Sequence, residues 1–152
     1  MADRAEARIV EHGITLPAVP GVGGTYVPAR TVGHMVYLSG VVSMNSNGII
    51  TGTVGLNRSI QEGQMAARAC ALTQLAILRK HLGSLDLVKS IVSVNGYVNC
   101  IPGFADTPKV MNGASDLIVE IFGEAGQHVR AAVGVPALPR NAVVEIQMTV
   151  EI

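Results

Sequence analysis

The sequence predicts an α+β fold in which a mixed β-sheet carries two main helices packed on one face. Three observations point there. Residues 142–152 alternate without a break, with Val144, Ile146, Met148, Val150 and Ile152 on one side and Val143, Glu145, Gln147, Thr149 and Glu151 on the other, the period of a strand with one buried face. Two other stretches, residues 59–82 and 108–122, repeat their apolar side chains at helical intervals instead. The chain is 152 residues long, the size of a unit that buries most of its apolar surface around one core, so residues 1–152 are read as a single domain.

Taken in order, residues 35–44 read as a strand, and Asn47-Gly48 followed by Ile49-Ile50 signals a hairpin that opens the fold. Ser59 and Glu62 have capping-box spacing, and Met65, Ala69, Leu72, Ala76 and Leu82 then recur at helical intervals until Gly83 stops the first helix. Residues 88–98 read as a half-buried strand, with Val92, Val94 and Val98 opposed to Ser93, Asn95 and Tyr97. After Pro102-Gly103, the second helix is expected to bury Val110, Leu117, Ile118, Ile121 and Phe122 and to expose Lys109, Asp116 and Glu120. A strand over 128–135 is separated from the last one by Pro136 and Pro139, which cannot donate to a continuous ladder. Two helices cover only one face of such a sheet, so the other requires water or a partner chain.

Composition removes several functions. Eleven basic and eleven acidic side chains cancel and no Lys/Arg run occurs, so the field needed to hold nucleic acid is missing. Hydrophobic residues make up 49% of the chain and charged ones 14%, an apolar balance that places some surface between subunits. The longest uncharged stretch, residues 31–57, is broken by turn-forming residues, and no membrane span is expected. The N-terminal Met-Ala-Asp-Arg-Ala-Glu-Ala-Arg is charged where a secretory signal needs an apolar core, which points to a cytoplasmic protein. Cys70 and Cys100 match neither zinc nor redox-pair spacing and read as buried or inert thiols. The four histidines are scattered singly, and Tyr26 stands where a dinucleotide fingerprint needs its third glycine. Neither a metal nor an organic cofactor is expected.

Gly24-Thr-Tyr26, Leu38-Ser39-Gly40, and the run from Val129-Arg130-Ala-Ala132 through Leu138-Pro139 to Val144-Glu145-Ile146 resemble, in sequence and spacing, the motifs of the RidA (YjgF) family. Asn112 matches that family's helix-start asparagine. The resemblance spans most of the chain. It departs in two places: the segment between Asn112 and Arg130 is longer here, and Ala132 replaces a cysteine common in the family. Val98-Asn99-Cys100, Pro108-Lys109-Val110, Asn112-Gly-Ala-Ser-Asp116 and Ala132-Val-Gly-Val135 resemble a longer subgroup. The resemblance implies a chorismate-mutase-like α+β fold and a homotrimer with clefts between neighbouring subunits. It further implies hydrolysis of 2-imino and enamino acids to 2-oxo acids and ammonia.

In that chemistry Arg130 would clamp the substrate carboxylate through two parallel charge-assisted hydrogen bonds, and Glu145 would serve as acid/base, directly or through water. Tyr26, Ser39 and Asn112 would orient the substrate. Plainer readings stand beside these. Arg130 can pair across the sheet with Glu145 or Glu151, Glu145 can be one polar residue of an alternating strand, and Ser39 can sit at a bulge before Gly40. Tyr26 can be a rim aromatic, Asn112 a hydrogen bonder near a helix start, and His128, on the face of Arg130 by period two, a structural histidine left outside the site. A competing function is a trimer that binds small carboxylates without turning them over. Endoribonuclease action is opposed by the neutral charge, and chorismate mutase action rests on fold analogy alone.

Overall fold

The structure, a computed structural model, describes residues 4–152. Residues 1–3 of the N-terminal segment, read above for an export signal, lie outside the described residues. The fold is α+β. A short helix α1 (Ala5–Glu11) precedes β1 (Ala29–Val32), β2 (Met35–Leu38), β3 (Val41–Val42), β4 (Met44–Asn45) and β5 (Gly48–Ile49). Then follow α2 (Ile60–Leu82), β6 (Ser90–Asn99), α3 (Thr107–Phe122), β7 (Val129–Val135) and β8 (Val144–Glu151).

The main sheet runs β1-β2-β8-β6-β7, with β3 also paired to β8. Only β6 and β7 are parallel, and α3 supplies the crossover that a parallel pair needs. Helices α2 and α3 pack on each other and on one face of the sheet, enclosing one hydrophobic cluster that includes Leu75, Leu78, Val94, Leu117, Ile118, Ile146 and Met148. No helix of the described residues is long and apolar enough to cross a membrane.

Four local expectations need correction. The strand over 35–44 is three pieces, interrupted at Ser39-Gly40 and again at Ser43. The hairpin that opens the sheet is β1–β2, turned by Gly33-His34 with Gly33 at φ +60°, the left-handed conformation that two-residue hairpin turns demand. Asn47 belongs instead to the small β4–β5 ladder, whose turn is Ser46-Asn47, with Asn45 Oδ1 accepting the Asn47 N–H at 2.9 Å.

In α2 the capping box forms, Ser59 Oγ accepting from the Glu62 N–H and Glu62 Oε1 from the Ser59 N–H. Of the predicted positions Ala76 is buried and Leu72 and Leu82 pack against the core, but Met65 is exposed, and the stripe is completed by Ala66, Ala67, Cys70, Ala71, Gln74, Leu75 and Leu78. The small residues Ala66, Ala67 and Ala71 let sheet and α3 approach α2 from two sides. On α3 the five predicted core residues are buried, but Glu120 is only half-exposed, its carboxylate meeting His12 Nδ1 at 2.9 Å. Cys70 and Cys100 are buried free thiols.

Candidate active site

Parallel pairing sets Arg130 beside Val94 and Ala132 beside Gly96. Val94 is fully buried under the helices, so Arg130 leaves β7 on the helix-bearing face. There α3 offers three acceptors at i, i+4 and i+7, which lie along one side of a helix. Arg130 Nη1 donates to Asn112 Oδ1 at 2.8 Å and to Ser115 Oγ at 3.1 Å, and Nη2 donates to the Pro108 carbonyl at 3.4 Å.

A guanidinium carries five N–H bonds, so the Nε–H and one Nη2–H remain without a partner among the described residues. Nor does any carboxylate of the described residues lie within ion-pair distance of Arg130. The pairing with Glu145 or Glu151 does not occur, because β7 borders only β6 and both glutamates are on β8. A planar cation held by neutral acceptors, with donors to spare, is suited to bind a carboxylate.

A second group forms where β2 gives way to β3. Against β8 the register is Tyr37 with Thr149 but Val41 with Ile146, one residue out of step, so Ser39-Gly40 is a bulge. The Ser39 N–H donates to the Pro28 carbonyl at 2.9 Å, and Ser39 Oγ to the Val27 carbonyl at 2.6 Å, tying the bulge to the segment that carries Tyr26. With its proton engaged there, the Ser39 hydroxyl keeps only acceptor capacity for a ligand. From beneath, the buried Gln74 donates through Nε2 to the carbonyls of Ser39 at 2.8 Å and Ile146 at 3.0 Å.

Glu145 pairs with Val42 on one side and Tyr97 on the other and points to the open face of the sheet. Its carboxylate lies against Gly40 and has no hydrogen-bond partner among the described residues. Half-burial without a compensating donor pushes its carboxyl above the ordinary range. Tyr26, Ser39, Gly40 and Val41 line a notch of about 30 Å³, room for little more than one water.

One chain thus brings Arg130 to Asn112, and Tyr26 to Ser39 and the Gly40–Glu145 contact, but does not join the two groups. Arg130 and Glu145 lie on opposite faces of the sheet, and β8 and β6 separate the Ser39–Gly40 bulge from β7. A larger cleft of about 620 Å³, lined in part by Leu56, Cys100, Ile101, Phe104 and Val135, contains none of the five candidates. Sequence reasoning missed Ser115 and the Pro108 carbonyl as partners of Arg130, although their spacing from Asn112 marks one helix face. It also left out His128, whose Nε2 lies 2.9 Å from Ser115 Oγ.

Comparison with known proteins gives this geometry a family. Residues 6–152 match the family described as "YjgF/chorismate_mutase-like, putative endoribonuclease". Protein TCP17 of Trypanosoma cruzi is 42% identical over 151 residues, covering 98% of this chain and 94% of that protein. A 2-iminobutanoate/2-iminopropanoate deaminase of Dermatophagoides farinae is 32% identical over 141 residues, covering 91% and 94%. The crystal structure of Atu1372 from Agrobacterium tumefaciens superposes with a TM-score of 0.90 at 41% identity, covering 97% of this chain and 92% of that one. With a match that runs through the bulge, α3 and both C-terminal strands, the chain belongs to the YjgF (RidA) family.

Proposed function

We propose that this protein hydrolyses reactive 2-imino and enamino acids to 2-oxo acids and ammonia, in a cleft between subunits of a cytoplasmic homotrimer. The observation that carries the reading is the division of the candidate residues. Arg130 and Asn112 stand on the helix-bearing side of an edge strand, Glu145 on the open face of β8, and Ser39 and Tyr26 at the bulge beside β8, with β8 and β6 between them and β7. A small substrate cannot touch both groups of one chain, whereas a neighbouring copy can bring its own Glu145 group to the Arg130 edge. Exposed apolar residues on that strand, Val129 and Val133, are the kind of surface such a neighbour would cover.

In this reading the free donors of Arg130 hold the carboxylate. Water adds to the imine carbon as the nitrogen takes a proton, the carbinolamine collapses, the C–N bond breaks, and ammonia leaves the 2-oxo acid. Glu145, with its carboxyl pushed upward by burial, holds a proton more readily than an ordinary carboxylate and is the group proposed to pass it. Similarity to a named imine deaminase supports the substrate class. The test is ammonia and 2-oxo acid release from freshly generated 2-aminoacrylate and bulkier imino acids. Acceleration by wild type and its loss in Arg130→Ala are expected. Carboxylate binding with no acceleration on any substrate would move the protein to the non-catalytic, carboxylate-binding class.

A further inference from the structure

We infer that Ser115 and His128 are positioning residues that set the angle of the Arg130 guanidinium, a role that rests on the proposed carboxylate clamp. The hydrogen-bond chain has one consistent direction. The Gly126 carbonyl, 2.7 Å from His128 Nδ1, can only accept, so Nδ1 carries the proton. In the neutral ring Nε2 is then an acceptor, and the group facing it at 2.9 Å, the Ser115 hydroxyl, donates. That leaves the lone pairs of Ser115 Oγ to receive Arg130 Nη1 at 3.1 Å. Backbone carbonyl, imidazole, hydroxyl and guanidinium are therefore linked in series.

The consequence concerns the free edge. With both Nη1 protons taken by Asn112 and Ser115 and one Nη2 proton by the Pro108 carbonyl, the end of the fork facing α3 is closed, and the Nε–H and the remaining Nη2–H are left for the planar carboxylate. Without Ser115 the fork can turn about its last torsion and offer the wrong pair of donors. A hydroxyl alone would be a loose anchor, since it rotates, and His128 fixes it by accepting its proton. Neither residue touches the substrate in this arrangement. Their effect is on how well the carboxylate is gripped and not on the proton transfers at the reacting carbon.

The experiment measures steady-state kinetics on a 2-imino acid alongside calorimetric binding of 2-oxobutanoate, an unreactive carboxylate probe, with thermal unfolding as a fold control. Ser115→Ala and His128→Phe are expected to weaken 2-oxobutanoate binding and raise KM roughly tenfold while kcat changes little, as for loss of a hydrogen bond to a charged group. Ser115→Thr and His128→Gln, which restore the hydroxyl and the acceptor, are expected to recover most of the loss. Arg130→Ala separates the two ideas. If it abolishes probe binding while the folded Ser115→Ala and His128→Phe proteins bind normally, the positioning role is wrong and the clamp stands. Should Arg130→Ala itself bind normally, the clamp fails and this inference with it.

Discussion

A Cβ placed on Gly40 would stand 3.0 Å from Glu145 Oε2 and 3.3 Å from its Cδ, so the bulge and the carboxylate are fitted to one another. Gly40→Ala therefore displaces the carboxylate. Because the colliding atoms are the end of a flexible side chain, the fold should lose roughly 1 kcal/mol or less. Turnover should fall roughly 10- to 100-fold, the usual result of moving a proton-transfer group by about an ångström. Thermal unfolding together with kcat checks this, and an unchanged kcat would remove Glu145 from the chemistry.

The same carboxyl makes a prediction about stability. Burial raises its folded-state pKa above that of the unfolded chain, so between the two the folded protein binds more protons. Stability contributed at this site is thus highest at low pH and declines as pH rises through that window. Glu145→Gln cannot ionise and should be the more stable protein at neutral pH, with the difference vanishing on acidification. Glu6 and Glu62, whose carboxyls are held low by hydrogen bonds, act with opposite sign but equally in both proteins. Urea unfolding of the pair between about pH 4 and 7 reads the difference directly. A constant difference across that range would mean Glu145 is not desolvated.

Much of this architecture is legible in the sequence because it follows from local rules. The alternation through Val144 and Glu145 fixes which face of β8 is buried, and the Ser59–Glu62 spacing fixes where α2 begins. Helix α1 was not legible: seven residues do not sustain a helix alone, and this one is held from afar by the two-point contact of Arg79 with Glu6 at 2.7 and 3.1 Å. Nor was the true stripe of α2, where Ala66, Ala67 and Ala71 are buried because two surfaces press on the helix. Spacing can nominate Arg130, Asn112, Ser39 and Glu145, but which share a face depends on strand order. Arg130 and Glu145 part company because β6 lies between their strands and their parities differ.

Helix α3 lies so close to α2 that a Cβ on Gly113 would collide with the Gln64 main-chain carbonyl. Backbone cannot swing aside as a side chain can. Gly113→Ala should therefore force the helices apart and cost about 1–3 kcal/mol, although alanine is the better helix former by about 1 kcal/mol. Denaturant unfolding decides the sign. A stabilised Gly113→Ala protein would show that the two helices have slack at this crossing.

The division of the candidate site makes its most exacting prediction through mixed oligomers. Arg130→Ala and Glu145→Gln should each be nearly inactive alone. If every cleft takes Arg130 from one subunit and Glu145 from another, co-expressing the two variants regenerates clefts in which both wild-type residues face each other. Random assembly of equal amounts makes this roughly a quarter of all sites. Activity of the mixture should therefore rise to a substantial fraction of wild type, while either variant by itself stays silent. A site built within one chain gives no rescue at any ratio, because every subunit lacks one of the two groups. The measurement needs only ammonia release from the purified mixture, and it tests the opposite-face placement of Arg130 and Glu145 through its chemical consequence.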